Sequence, residues 1–138
     1  MKTLLITGGS GYIGSHTCLV MLKAGYDVIV LDSFSNSSSL PLNNVSKLLG
    51  IKKDSSRLKI IEGDIRNIAL LRNIFNTQSK TGKPIYAVLH FAGVKSVRQS
   101  VMQPLLYWDI NVLGTNNLLT VMNEFSCFYC VFSSSATV

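Results

Sequence analysis

The chain has 138 residues, 47% of them hydrophobic and 14% charged, which supplies a globular core and excludes intrinsic disorder. Its formal net charge of +6 suits a small anionic ligand better than nucleic acid, because the cations are scattered and no nucleic-acid-binding motif accompanies them. The one cluster, Lys52, Lys53, Arg57 and Lys59, reads as a solvated loop.

In chain order, Met1 to Ile6 opens like a signal peptide but meets Gly8 and Gly9 too soon; Lys2 to Thr7 reads instead as a β-strand. Tyr12 to Ala24 carries apolar residues at helical spacing, with Gly25 where a helix ends, and Asp27 to Asp32 is a second apolar run. After a Ser/Asn-rich loop come a short helix near Leu42 to Leu49, a strand at Leu58 to Ile61, a helix near Ile68 to Phe75 and a strand at Tyr86 to His90. A long helix from about Pro104 to Phe125 and a strand at Tyr129 to Phe132 complete the series.

Strand and helix thus alternate, and the strands are nearly continuous apolar runs. That pattern predicts an α/β fold, a doubly wound parallel sheet with helices on both faces, in one domain over residues 1–138. No apolar run approaches the roughly 20 residues of a membrane helix. Three cysteines without a secretory signal suggest reduced thiols in a cytoplasmic protein.

The strongest local signal is Thr7-Gly8-Gly9-Ser10-Gly11-Tyr12-Ile13-Gly14, between the first strand and the first helix. Gly9, Gly11 and Gly14 fit G-x-G-x-x-G; Gly8, Gly11 and Gly14 fit a G-x-x-G-x-x-G variant. A pyrophosphate must approach the backbone closely, so the turn needs residues without Cβ, and the helix start supplies free amides and a positive dipole end. Asp32 closes the second strand, where a carboxylate accepts from the adenosine ribose hydroxyls and repels a 2′-phosphate. The pair predicts a Rossmann-type site for NAD rather than NADP.

TGGSGYIGSHT resembles the extended short-chain dehydrogenase/reductases, and HFAGVKSV, NVLGTNNLL and SSSATV resemble the UDP-glucose 4-epimerases within them. The resemblance runs from residue 3 to the last residue, more loosely from about Ser39 to Leu58. A sugar-nucleotide dehydratase would show Thr-Asp-Glu where this chain has Ser135-Ala136-Thr137, a departure that favours epimerase. The resemblance implies NAD-dependent epimerisation of UDP-glucose and UDP-galactose at C4 through a 4-keto intermediate, in a homodimer when full length.

For the cofactor, it implies Gly8, Gly11, Tyr12, Ile13 and Gly14 at the pyrophosphate, and Asp32, Ser33, Phe34, Ser35, Asn36 and Ser37 at the adenosine ribose. It further implies Asp64 and Ile65 at the adenine, with the Asp64 carboxylate accepting from the exocyclic amine, then Phe91, Ala92, Gly93 and Lys95 after the fourth strand. Asn111 is implied as a hydrogen bonder facing the sheet rim; its alternative reading is an exposed polar residue. Lys95, Ser135, Ala136 and Thr137 are implied at the sugar, with Ser135 the catalytic residue that bonds the 4-hydroxyl. No metal is implied.

The family's base is the tyrosine of a Tyr-x-x-x-Lys pair, and none of Tyr12, Tyr26, Tyr86, Tyr107 or Tyr129 has a lysine four positions on. The pair and the C-terminal substrate domain are therefore expected beyond Val138, with the fold cut after about its fifth strand. Two alternatives remain open: a non-catalytic NAD-binding module or truncated gene product, and another NAD-dependent sugar-nucleotide dehydratase or reductase. Cys127-Phe128-Tyr129-Cys130 lacks the second pair of a zinc site and leads into a strand, so both cysteines are expected in the core. His16 and His90 read as packed or hydrogen-bonded rather than as bases. The stripe Leu106, Ile110, Leu113 and Val121 is expected to bury against the sheet.

Overall fold

A computed structural model describes residues 1–94 and 96–134. Five parallel strands, β1 Thr3–Thr7, β2 Asp27–Asp32, β3 Leu58–Glu62, β4 Ile85–His90 and β5 Tyr129–Phe132, form one sheet in the order β3-β2-β1-β4-β5. The helices are α1 Tyr12–Lys23, α2 Leu40–Leu49, α3 Ile68–Lys80, α4 Val97–Met102, α5 Pro104–Trp108 and α6 Gly114–Glu124, with a π turn over Asp109–Leu113 between the last two.

Successive strand residues point to opposite faces, and β1 shows both. Leu5 joins Leu31, Leu71, Phe75, Val88, Leu118 and Val121 under α3 and α6. Ile6 joins Cys18, Leu22, Val30, Leu42 and Val45 under α1 and α2. The doubly wound α/β expectation holds. Because the strand order reverses between β1 and β4, the carboxyl ends of β1, β2 and β4 meet at one crevice, the place where open α/β sheets take ligands.

Several local expectations need correction. Helix α2 starts at Leu40, with Pro41 in its first turn, where a missing N–H costs nothing. Helix α3 continues past Phe75 to Lys80; the buried inward residue of its last turn is Gln78, whose Nε2 donates to the Lys83 carbonyl, so hydrophobicity alone could not follow the turn. The six residues of α4, capped by Ser96 accepting from the Gln99 N–H, are too short to show a period.

The long helix is the larger correction. Leu106 is 37% exposed and Leu113 46% exposed, whereas Gly114, Leu118, Val121 and Met122 are buried. A π turn closes its hydrogen bonds over five residues instead of four, so a 3.6-residue period counted across Asp109–Leu113 loses phase. The side carrying Asn111, Gly114, Thr115 and Leu118 faces inward. Strand β5 also departs from the buried pattern, with Tyr129, Val131 and Phe132 all about 60% exposed. Of the two cysteines expected in the core, Cys127 is buried and Cys130, on the edge strand, is exposed. Among the described residues no helix is long and apolar enough to cross a membrane.

Candidate functional site

The glycine loop is closed by its own backbone. Gly8 has φ +68 and donates its N–H to the Leu31 carbonyl at 2.8 Å, a left-handed conformation that favours glycine. A Cβ on Gly14 would lie 2.3 Å from the Gly8 oxygen, so helix and loop touch there without room for a methyl group. Gly11 differs: the nearest atom to a Cβ there is the Gly8 oxygen at 3.5 Å, leaving its outer face open. Gly11 is also the N-cap of α1 and has no side-chain capping bond, and the first turn holds no acidic residue. The uncapped amides and dipole end of α1 therefore face the opening.

Asp32 joins this loop to the next. Its Oδ2 accepts from the Ser10 N–H at 3.1 Å and the Ser10 hydroxyl at 2.5 Å, and its Oδ1 accepts from the Phe34 N–H at 2.8 Å. Ser10 Oγ lies a further 2.5 Å from Ser37 Oγ. Ser10, buried in a variable position of the glycine pattern, is a site residue that the motif does not reveal. Burial pushes the Cys18 thiol up to about 12, which leaves it an inert packing group behind Gly9.

A cleft of about 500 Å³ opens over these loops, within the range of small-ligand sites. Of the residues the sequence proposes, Gly8, Gly11, Asp32, Ser33, Ser35, Asn36, Ser37, Asp64, Ile65, Phe91, Ala92 and Gly93 line it. Tyr12, Ile13, Gly14, Phe34 and Asn111 stand behind or beside the lining: Tyr12 and Ile13 are 82% and 55% exposed in the first turn of α1. Asn111 is half-buried rather than exposed; its amide brackets the backbone of Val94. Lys95, Ser135, Ala136 and Thr137 lie outside the described residues.

Arg66, Gln99 and Gln103 also line the cleft, and the sequence singled out none of them. Arg66 changes the picture at Asp64. Its Nε and Nη2 donate to the Asp64 carboxylate at 3.1 and 2.7 Å and its backbone N–H donates to Oδ1 at 2.9 Å, while Nη1 reaches Asp109 Oδ2 at 3.0 Å. Asn117 Nδ2 holds the Arg66 carbonyl from α6 at 3.1 Å. The carboxylate that the resemblance assigns to an adenine amine is thus engaged by Arg66. The only clue in the sequence is a cation two residues after an aspartate.

The hydrogen bonds from Arg66 hold the Asp64 carboxyl below the ordinary carboxylate range, and the carboxylates raise the guanidinium in turn. A carboxyl lowered by folding contributes stability above its unfolded pKa and loses it as pH falls through the folded value. With side chains 38% and 35% exposed, that contribution is small. Replacing Arg66 with alanine is expected to raise the Asp64 titration midpoint toward the ordinary range, read from its side-chain carboxyl ¹³C shift; an unmoved midpoint refutes the pairing in solution.

The family model described as GDP-mannose 4,6 dehydratase matches residues 5–138. A UDP-glucose 4-epimerase of Klebsiella pneumoniae is 45% identical over 135 residues, which make up 98% of this chain and 90% of that one. The chain belongs to the UDP-glucose 4-epimerase family. UDP-glucose 4-epimerase 2 of Arabidopsis thaliana is 46% identical over 137 residues, 99% of this chain and 37% of its own length. The crystal structure of the UDP-glucose 4-epimerase from Stenotrophomonas maltophila, with bound NAD and formylated UDP-arabinopyranose, matches with a TM-score of 0.87 at 36% identity. It is covered over 100% of this chain and 38% of its own. The chain therefore spans a little over a third of the length of the last two epimerases.

Proposed function

We propose that residues 1–138 are the NAD-binding domain of an enzyme that interconverts UDP-glucose and UDP-galactose at C4 through a 4-keto intermediate. The observation that carries the reading is the convergence of the open Gly11 end of α1 and the Asp32 carboxylate on one cleft. NAD fits these groups. Its two phosphate charges suit the uncapped amides of α1, where the absence of a Cβ at Gly11 lets backbone and phosphate meet. Its adenosine diol offers two donors to an acceptor-only carboxylate at Asp32.

When bound, NAD supplies the acceptor and donor of hydride. The chain's own residues would bind and orient: Asp32 would hold the ribose and Ile65 and Phe91 to Gly93 would line the base and sugar, while the resemblance assigns Lys95 and Ser135, outside the described residues, to the hexose. Ser135 orients the 4-hydroxyl but is too weak a base to take its proton unaided, and losing a general base typically costs about 10² to 10⁴ in rate.

One observation favours a second reading, a cofactor-binding module without turnover of its own: none of the five tyrosines has a lysine four positions on. Calorimetry and a coupled UDP-glucose assay separate the two levels. The 138-residue chain is expected to bind NAD and not to turn over UDP-galactose. Absence of NAD binding overturns the cofactor reading, and turnover above background shows that one of these residues serves as the base. The exposed apolar side chains of Leu105, Trp108 and Val112 are proposed to meet a second copy in a homodimer; a monomer at every concentration in sedimentation would refute this. Unpaired cysteines agree with a cytoplasmic, reducing setting, which fractionation of the producing cell tests.

A further inference from the structure

Beneath the cleft wall of Phe91 to Val94 runs a series of polar side chains of which the epimerase reading gives a part to Asn111 alone. His90, the last residue of β4, is 1% exposed. Its Nδ1 lies 2.5 Å from Thr7 Oγ1 and its Nε2 lies 2.9 Å from Thr115 Oγ1. The Ala92 N–H donates to Thr7 Oγ1 at 3.2 Å. At the other end, Thr115 Oγ1 donates to the Asn111 carbonyl at 2.7 Å. The Asn111 side chain returns to the loop, Oδ1 accepting from the Val94 N–H and Nδ2 donating to the Val94 carbonyl, both at 2.9 Å.

With the His90 ring neutral, a proton count gives the direction of every bond. A hydroxyl has one proton, and that of Thr115 is committed to the Asn111 carbonyl, so Thr115 can only accept from His90 and the imidazole presents its N–H at Nε2. The neutral ring then has its lone pair at Nδ1, which takes the Thr7 proton and leaves a Thr7 lone pair facing the Ala92 N–H. The bonds point one way, from Ala92 through Thr7, His90 and Thr115 to Asn111, an alignment in which each bond polarises the next. Both ends act on the same three residues. Ala92 is held directly and Val94 through Asn111, and Gly93 between them presses so close that a Cβ would lie 3.0 Å from Asn111 Oδ1.

We infer that His90 and Thr115 are positioning residues: the relay through them sets the place of Ala92 to Val94, and through that wall the affinity for the dinucleotide. The inference rests on reading the cleft as the NAD site. Core packing alone would give these side chains an effect on unfolding and none on ligand affinity or loop exchange in the folded chain.

Thr115→Val removes the hydroxyl while keeping the shape, at a half-buried position that tolerates it, and Thr115→Ala replaces it if the valine variant does not fold. Thr115→Ser restores the hydroxyl. Thr120→Val is the control, because Thr120 Oγ1 makes the same bond to the carbonyl four residues back, Asn116, at 2.8 Å from an exposed place without a link to His90. In Thr115→Val, the NAD dissociation constant is expected to rise about tenfold, and the amides of Ala92 and Val94 to exchange about tenfold faster with deuterium, as the loss of one buried hydrogen bond implies. Thr115→Ser should recover both, and Thr120→Val should change neither. Equal effects of Thr115→Val and Thr120→Val, or none from either, overturn the relay. Faster exchange with unchanged affinity overturns its link to the cofactor. Failure of the unaltered chain to bind NAD removes the cofactor reading, and the exchange rates then still decide whether the relay positions the loop.

Discussion

Gly14→Ala is expected to destabilise the chain by about 3 kcal/mol or more, while Gly11→Ala leaves it folded and weakens its binding of NAD. The two glycines stand three residues apart in one motif and differ only in what surrounds them. A methyl group on Gly14 would meet the Gly8 oxygen at 2.3 Å and the Gly9 Cα at 2.7 Å. Both are backbone atoms of a loop that is itself tied to β2 by the Gly8 to Leu31 bond, so neither can retreat without unfastening α1 from the sheet. On Gly11 the methyl group meets one atom at ordinary contact distance, and the folding cost is that of a poorer N-cap, about 0.5 to 1 kcal/mol. It stands, however, on the open face that a phosphate must approach. Loss of one charge-assisted bond there lowers affinity roughly tenfold to hundredfold. Urea unfolding measures the first effect and calorimetry the second; a stable Gly14→Ala, or a Gly11→Ala that binds NAD normally, contradicts the assignment.

Asp32→Ala is expected to act twice. Without ligand it strands the Ser10 and Phe34 N–H groups, at a cost of about 1 to 3 kcal/mol for the buried donor. With ligand it removes the acceptor of the ribose diol, lowering NAD affinity about a hundredfold. NADP, whose 2′-phosphate the carboxylate repels, should bind more weakly than NAD to the unaltered chain and lose less on substitution. The Ser10 hydroxyl has a second partner in Ser37, so it can turn away and free Oδ2 without being stranded; the site is closed by a bond that a ribose can replace. Equal affinities of the unaltered chain for NAD and NADP would refute the role of Asp32.

The sheet was legible because parallel strands buried on both faces are written as apolar runs, and β1 and β2 are such runs. That Gly8, Gly11 and Asp32 would share one cleft was legible because few residue types can close a tight turn after a strand or place a carboxylate at its end. The rest was hidden for identifiable reasons. Ser10 and Arg66 act through partners distant in sequence or through a geometry that only folding creates, Ser10 across 22 residues to Asp32 and Arg66 across 43 to Asp109. Gln78 occupies an inward helical position with a polar side chain, so α3 looked shorter than it is. Strand β5 reads in sequence like its neighbours, and the sheet order places it at an edge among the described residues. The helix after Pro104 was assigned its inward face with a period that the backbone does not keep.

That last departure also bears on how the chain tolerates changes in length. A π turn is an α-helix with one residue too many. Removing a single residue from Asp109–Leu113 is therefore expected to leave a regular α-helix: α6 stays held to the sheet through Leu118 and Val121, and α5 keeps its phase, because the wider turn already absorbs the roughly 100° that one residue adds. Leu105 and Trp108 would go on facing outward, and only the contacts made by the turn itself, Arg66 to Asp109 and Asn111 to Val94, would be disturbed. Elsewhere in the helix a deletion keeps regular structure and turns one flank against the other by about 100°. Here the flanks would stay in register, and the loss would be confined to what the turn itself holds.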